Sequence, residues 1–404
     1  MSSPDLPRSV LLTPSAQSPP SELALGMASS SPGGSVFRRI RGWLVSAGTD
    51  LFPLILLTIA YYAVGLIVGV VFGFSVNPQP ETAAVMVLAM LAWLLLVILV
   101  ITIPFLIVLY VLRMGYYRLG RTFPADIDGA VRFLLRPRAI TTALLVFFLY
   151  SVFIAMFVAF KRGIPEVVPF RWDDAFMKLD RIVHFGHHPW RLLQPVLGTP
   201  DVTDLIDRIY YVWFPVNYLC ITAFAWCEDR AMRVRFYLSF WLVWIVPGTM
   251  VAYALSSAGP CYFGFVTSGA NPFTPLMDYL RQVDRSHDLI AVYVQRELWA
   301  DYARGSANLV MKGISAMPSV HVALPVLYAL AGWRVHRAIG IAFSAYAFVI
   351  FLGSIHLGWH YAVDGYVSVF LVVFLWWISG RFSRWYTGAF EAWEGRAGRP
   401  QDMI

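Results

Sequence analysis

Eight long apolar stretches, separated by polar segments, dominate this sequence. A helix needs roughly 20 predominantly apolar residues to cross a hydrocarbon core about 30 Å thick. The stretches that meet or approach this length are residues 51–74, 84–112, 139–160, 207–227, 235–256, 318–333, 338–355 and 361–380. This pattern predicts an all-α, polytopic membrane protein with eight transmembrane helices.

The composition supports the membrane assignment and removes other classes of protein. Of the 404 residues, 58% are hydrophobic and 14% are charged, whereas about a quarter of the residues of a soluble domain are charged. The net charge of +7 is carried mainly by arginines scattered between the apolar stretches, so we expect no nucleic-acid partner. The three cysteines have no metal-binding spacing. Residues 1–35, rich in Ser and Pro, are predicted to form a disordered tail.

Arginines mark one side of the predicted helices. If the eight spans alternate in direction, the arginine-rich ends and links all fall on the same side. These arginines are Arg38, Arg39, Arg41, Arg113, Arg118, Arg121, Arg132, Arg136, Arg138, Arg230, Arg233, Arg235, Arg334, Arg337, Arg381 and Arg384. Basic loops stay on the cytoplasmic side of a membrane. Both termini are therefore predicted to be cytoplasmic, and the long links 161–206 and 257–317 to lie outside.

Histidine and aspartate cluster at the predicted outer ends of the last three spans. His321 stands at the start of the sixth span, while His360 and Asp364 stand where the seventh span turns into the eighth. Asp364 is four residues after His360, so on a helix the two side chains share one face. A carboxylate that holds one imidazole nitrogen leaves the other nitrogen free to attack. His321, on a neighbouring helix, could then protonate the leaving oxygen.

Two other interpretations of these histidines stay open at the level of sequence. His321 and His360 could be no more than hydrogen-bonded residues at helix ends. Alternatively, His356, His360 and Asp364, spaced at four-residue steps, could ligate a metal ion, although no cysteine or second carboxylate completes such a set.

The same residues carry a family resemblance. Pro318-Ser319-Val320-His321, followed by His360-Tyr361-Ala362-Val363-Asp364, resembles the type 2 phosphatidic acid phosphatase superfamily. Within it, the chain is similar to the branch that contains fungal inositol phosphorylceramide synthase and its bacterial relatives. The resemblance implies a six-helix catalytic core over residues 139–380. Residues 36–138 would add two transmembrane helices and an Arg-rich link, and residues 381–404 a cytoplasmic tail.

The resemblance also implies roles for individual residues. His360 would be the nucleophile that forms a phosphohistidine, Asp364 its orienting partner, and His321 the general acid and then the base. No metal or other cofactor would be needed, because fixed donors and cations would meet the charge of the transferring group. The candidate groups that hold the phosphate are Ser319, Lys312, Arg304 and His356.

The sequence departs from the phosphatases of that superfamily at the phosphate-binding cations. We find no Lys with an Arg-Pro pair at the matching spacing before His321, and Gly353-Ser354 stands where a Ser-Arg pair is expected. The departure favours a phosphotransferase that moves a group from a phospholipid donor to a lipid or polyol hydroxyl. A lipid phosphatase, with water as the acceptor, is the alternative, and a non-enzymatic lipid transporter or scaffold is the second. The expected location is a bacterial plasma membrane, with the site on the outer face. The sequence does not decide the oligomeric state.

Overall fold

The computed structural model describes residues 32–72, 125–304 and 313–396, with isolated positions between residues 84 and 118. The predicted second span, 84–112, lies almost entirely outside the described residues, as do Lys312 and the predicted tail up to residue 31. The chain divides into two units, residues 1–42 and residues 43–404. Apart from the first turns of α1, all of the helices belong to the second unit.

All regular secondary structure in the described part of the chain is helical. The helices are α1 (Pro32–Phe72), α2 (Ala125–Leu134), α3 (Pro137–Val167), α4 (Asp173–Val183), α5 (Pro189–Leu197), α6 (Pro200–Tyr211), α7 (Trp213–Ala223), α8 (Arg230–Ile245), α9 (Thr274–His287), α10 (Ile290–Arg304), α11 (Val320–Val335), α12 (Arg337–His356) and α13 (Ala362–Arg396). Short turns follow α7 at Phe224–Trp226 and lie at Pro260–Tyr262 and Phe263–Val266, and α8 continues as a π-helical segment, Val246–Val251, and a last turn, Ala252–Ala254.

Several of these helices can cross a membrane. Five are long and apolar enough, at Arg41–Phe72, Val131–Val167, Arg230–Ala254, Arg337–His356 and Ala362–Trp393, and α11 is a shorter apolar helix. Large apolar side chains on them face outward, such as Val70, 84% exposed, and Phe370, 72% exposed. Such surface is stable against lipid rather than water. The predicted all-α, polytopic membrane fold is thus confirmed.

The fourth predicted span, 207–227, is not one helix. It is divided at Val212 between α6 and α7. The break is explained by Pro215 in the first turn of α7, because proline has no N–H to donate to the carbonyl four residues earlier, that of Tyr211. The division turns out to shape the candidate active site, since both helices contribute side chains to it.

Two predicted boundaries also differ from the structure. Helix α1 begins at Pro32, inside the segment predicted as a tail, and proline is well suited to a first helical position. Helix α13 continues to Arg396, past the predicted end at residue 380. The Tyr386 hydroxyl on this extension donates to the carbonyl of Thr49 over 2.7 Å, so contact with α1 stabilises it.

An aromatic core joins α3 to α8. Tyr150 packs against Phe240 with ring centroids 5.3 Å apart, and Phe157 packs against Trp244 at 4.7 Å. Edge-to-face pairs at such distances add to the gain from burial. Because the ends of α8, α11 and α13 carry the site, this core fixes the helices on which the site depends.

Helix α1 is part of the same core. Tyr61 stacks on Phe153 with ring centroids 4.9 Å apart, and its hydroxyl lies 2.6 Å from Thr249 Oγ1. The indole of Trp241 donates to Thr58 Oγ1 over 3.1 Å. The predicted first span therefore packs against α3 and α8, a role that the sequence left open.

A buried ion cluster fastens one end of α1 to α8. The carboxylate of Asp50, fully buried, accepts hydrogen bonds from Arg230 over 2.5 Å and from the guanidinium of Arg233. Arg138 at the start of α3 lies 3.5 Å from the same carboxylate. Burying charge is costly unless it is paired, so the three helices are held together at this end by one shared carboxylate.

Replacing Asp50 with Ala is expected to lower the free energy of unfolding by about 3–5 kcal/mol, because Arg233 would stay buried without its partner. The measurement is thermal unfolding of the purified protein in detergent. Asp174→Ala is the matched control, since Asp174 pairs with Lys178 at the surface and such pairs contribute little. Equal unfolding midpoints for the two variants would contradict the role given to Asp50.

Candidate active site

The structure brings the two predicted motifs together. His360 lies in the turn between α12 and α13, and its Nδ1 is 3.2 Å from Oδ2 of Asp364 in the first turn of α13. The same oxygen accepts the backbone N–H of Tyr361 over 3.0 Å. Asp364 is fully buried and His360 is 6% exposed. The predicted His–Asp contact is thus present, although His360 lies before the first turn of α13 and not on one helical face with Asp364.

His321, in the first turn of α11, faces this pair. Its ring centroid is 6.4 Å from that of His360, too far for the two rings to hydrogen-bond to each other. The imidazole of His321 is stacked between Tyr210 of α6 and Trp213 of α7, with ring centroids 5.0 and 4.3 Å away. Tyr210 precedes the break at Val212 and Trp213 follows it. The helix break therefore lets both rings stack on His321, and we call this pair of rings the aromatic clamp.

Three backbone segments form the base of the site. The N–H of Ala316 donates to Ser257 O, and the N–H of Cys261 donates to Gly358 O, each over 2.9 Å. Between them, Gly259 has φ +103°, and a Cβ there would lie 2.6 Å from the carbonyl oxygen of Trp359. Only glycine permits both this conformation and this approach. The loop 257–261 thus holds both the segment before His321 and the segment before His360.

Two buried aspartates from the first long link hold the base and α13 in place. Asp173 accepts the N–H groups of Ala258 and Gly259 over 2.9 and 2.8 Å and the Tyr361 hydroxyl over 2.8 Å. It thereby connects the loop after α8 to the residue that follows His360.

Asp180 caps the helix that carries Asp364. Its two carboxylate oxygens accept the N–H groups of Ala362 and Val363, each over 2.9 Å. These are among the donors that a helix start leaves unpaired, and a carboxylate there also complements the helix dipole. Burial raises the pKa of Asp180 to about 6, against the lowering effect of the two hydrogen bonds. The carboxylate that these donors require is thus still the main form at neutral pH.

His356 belongs to a different cluster. It is fully buried, and its Nε2 lies 2.9 Å from Thr203 Oγ1, which in turn is 2.7 Å from the Tyr279 hydroxyl. His356 is thus a hydrogen-bonded residue at the end of α12. Among the described residues no three His, Cys, Asp or Glu side chains are grouped as metal ligands, so His356, His360 and Asp364 do not form the metal-binding set considered above.

The other candidate phosphate-binding residues are placed unevenly. Ser319 is fully buried and its Oγ accepts the N–H of Val322 over 3.3 Å, so it caps α11 directly beneath His321. Arg304 is exposed at the end of α10 and donates to the carbonyl of Ala300 in its own helix. Lys312 lies outside the described residues. The structure therefore brings Ser319 to the site and gives Arg304 no contact with it.

Lys161 is a cation near the two histidines that the sequence did not single out. It lies near the end of α3, and its charge acts on both His321 and His360. Its backbone and Cγ border Gly313, where a Cβ would come within 2.8 Å of them. A cavity of about 200 Å³ opens beside it, lined in part by Arg162, Glu166 and Gly313. The available signal was a lysine at the predicted outer end of an apolar span.

The electrostatics of the site favour a neutral imidazole at His360. Burial lowers the pKa of His360 to about 3, and the charge of Lys161 lowers it too, while a hydrogen bond with the backbone of Ala316 opposes them. An unprotonated ring has a lone pair available for attack. The site can therefore offer a nucleophilic nitrogen and a second imidazole, with the charge of Lys161 acting on both rings.

The fold and site define a polytopic membrane protein with a buried His–Asp pair facing a second histidine. The model of the PAP2 superfamily matches residues 174–378, about half of the chain, and the matched range includes His321, His360 and Asp364. The chain belongs to the PAP2 superfamily. Its members are generally phosphatases or phosphotransferases that act on lipid phosphates. Comparison with curated proteins gives no match, and neither does comparison with solved structures.

Replacing Trp213 with Leu is expected to lower turnover about 10- to 100-fold, because the His321 ring would lose its stacking partner and small misplacements of a reacting group are costly. The measurement is the rate of phosphate transfer or release from a lipid phosphate at saturating substrate. Trp385→Leu, at an exposed position of α13, is the matched control and is expected to keep wild-type turnover. A Trp213→Leu protein that folds and turns over normally would contradict the clamp.

Proposed function

We propose that this protein transfers a phosphoryl-containing group from a phospholipid donor through a covalent intermediate on His360. The single observation that carries the proposal is the buried His360–Asp364 contact of 3.2 Å facing His321 at a ring separation of 6.4 Å. A phosphoryl group seated between the two rings would have the nucleophile on one side and the proton donor on the other, as in-line displacement requires.

The proposed reaction has two balanced steps. In the first, the lone pair of His360 forms a bond to phosphorus, the bond to the leaving oxygen breaks, and His321 supplies the proton for that oxygen. In the second, His321 takes the proton from the acceptor hydroxyl as its oxygen bonds to phosphorus, and the bond to His360 breaks. Asp364 stabilises the positive charge on His360 while the phosphohistidine exists.

Lys161 is proposed as the cation that meets the charge on the transferring group. In a site without water, a fixed positive charge stabilises a transition state strongly. The electrostatic coupling of Lys161 to both histidines supports this role, which Arg304 does not share. Ser319 is proposed to hold phosphoryl oxygens through its hydroxyl proton, since its oxygen already accepts from Val322. His356 is proposed as a supporting residue only.

The acceptor is proposed to be a lipid or polyol hydroxyl, as in a phosphotransferase similar to inositol phosphorylceramide synthase. The low exposure of His360 and Asp364 supports this choice, because an enclosed site restricts water. Water would make the protein a lipid phosphatase instead. No observation favours the transporter or scaffold, which would have no use for a His–Asp pair buried opposite a second histidine.

The site is proposed to open on the outer face of a bacterial plasma membrane, with both termini in the cytoplasm. The arginines at the starts of α3 and α8 and at the end of α11 lie at the helix ends opposite His321 and His360. Basic helix ends are typically cytoplasmic, which supports this orientation.

Replacing His360 with Ala is expected to reduce transfer at least about 1,000-fold, because the nucleophile would be gone. Purified protein in lipid is supplied with a phospholipid labelled in its head group, and labelled products are separated with and without added lipid or polyol acceptors. His187→Ala, an exposed histidine of the α4–α5 turn, is the matched control. Label released only to water would establish the phosphatase, and turnover that persists in the His360→Ala protein would refute the proposed intermediate.

Replacing Lys161 with Met is expected to lower kcat/KM about 100-fold, while Lys161→Arg keeps more activity because it keeps the charge. The check is steady-state kinetics on the lipid donor. Lys178→Met, an exposed lysine paired with Asp174, serves as the matched control. Equal activity of Lys161→Met and Lys178→Met would remove Lys161 from the site.

A further inference from the structure

Three arginines meet at the helix ends farthest from the candidate active site. Arg235 of α8 lies against α13, where a Cβ on Gly380 would come within 2.6 Å of its Nε, and Arg384 is four residues further along that helix. Arg334 is near the end of α11, which packs against both α8 and α13. The charges of Arg334 and Arg384 both act on Arg235. Arg384 follows Asp364 by twenty residues on one continuous helix, a rise of about 30 Å. The cluster is therefore about one hydrocarbon thickness away from the site.

Arg235 is held in place at the centre of this cluster. Its guanidinium lies over the ring of Trp376, 3.8 Å from the centroid, and its Nε donates to the Trp376 carbonyl over 3.0 Å. Arg334 and Arg384 are exposed beside it. One fixed and two solvent-accessible guanidinium groups thus surround a single region of surface.

Three of the acidic side chains at this end have other partners. Asp50 pairs with Arg230 and Arg233, and Glu228 with Arg136, while Asp229 caps α8 through the N–H of Met232. Within the part of the chain that the structure describes, no carboxylate lies within salt-bridge distance of the three arginines. Among the described residues the three guanidinium groups therefore have no acidic counter-charge, which favours the binding of an external anion.

The surface around the cluster is that of a membrane interface. Three exposed tryptophans neighbour the cluster in sequence. Trp333 precedes Arg334 and is 50% exposed, and Trp385 follows Arg384 and is 68% exposed. Trp377 follows Trp376, the partner of Arg235, and is 49% exposed. Tryptophan is enriched at the level of lipid head groups, and arginine binds phosphate oxygens in a bidentate manner. We propose that Arg235, Arg334 and Arg384 bind the phosphate of an anionic phospholipid in the leaflet opposite the candidate active site.

This binding site does not depend on the reaction at His360, and its test needs no turnover. The full-length protein, purified in neutral detergent, is titrated with phosphatidylglycerol or phosphatidylcholine, and bound lipid is counted by native mass spectrometry. The double variant Arg334→Gln/Arg384→Gln is expected to bind phosphatidylglycerol at least about tenfold more weakly than wild type, since each arginine near a head group contributes to anionic-lipid binding. Arg285→Gln/Arg296→Gln, with the same charge change on exposed arginines of α9 and α10, is expected to bind as wild type does.

Three results would overturn the proposal. The first is equal binding of phosphatidylglycerol by wild type and the Arg334/Arg384 variant, and the second is equal binding of phosphatidylcholine and phosphatidylglycerol by wild type. The third is displacement of the lipid by millimolar inorganic phosphate, which would make free phosphate the ligand. If the double variant fails to fold, judged by circular dichroism, Arg384→Gln alone is used, with an expected loss of about fivefold.

Discussion

The candidate active site depends on the capping of helix α13 by a carboxylate from another part of the chain. The first N–H groups of a helix have no partner within it, and at α13 they are buried against the loops rather than exposed to water. Asp180 accepts two of them, and this fixes where Asp364 points and hence how His360 is held. Asp207 does the same for the N–H groups of Ile290 and Ala291 at the start of α10. Buried aspartates of the first link and of α6 thus organise the helices that follow.

Buried charges have different partners at the two ends of the helix bundle. At the site end, Asp173 and Asp180 accept backbone N–H groups and Asp364 contacts His360. Among the described residues no carboxylate lies within salt-bridge distance of Lys161. At the other end, Asp50 is shared among arginines, and further arginines are left over. The aromatic core between α3 and α8 separates the ends and connects them rigidly. The candidate catalytic groups thus lie at one end of the bundle, and the arginines proposed to bind lipid lie at the other.

Much of the fold could be predicted because the thickness of the hydrocarbon core sets the length of the apolar helices that cross it. The contact of His360 with Asp364 could be anticipated from their four-residue separation, although the turn before α13, and not a shared helical face, brings the two side chains together. The same spacing made His356 look equivalent, but it lies at the end of α12 and turns to Thr203, a contact that no local pattern encodes. Lys161 comes near the histidines only because of how α3 packs, which the sequence does not reveal. The role of Asp173 depends on its hydrogen bonds to the loop at Ala258 and Gly259, which is distant in sequence. The division of the fourth span could have been predicted from Pro215. A search for apolar stretches does not register it, because proline is compatible with an apolar run although it has no N–H to donate.

The central claim is that phosphorus becomes bonded to His360 during turnover. The most direct measurement is to mix the protein with a donor labelled in its phosphate, quench within milliseconds in alkali, and locate the label by peptide mapping. The expected label is stable in alkali, lost in acid and attached to the peptide that contains His360. A label on a different residue, or complete turnover with transfer directly from donor to acceptor and no labelled protein at any time, would contradict it.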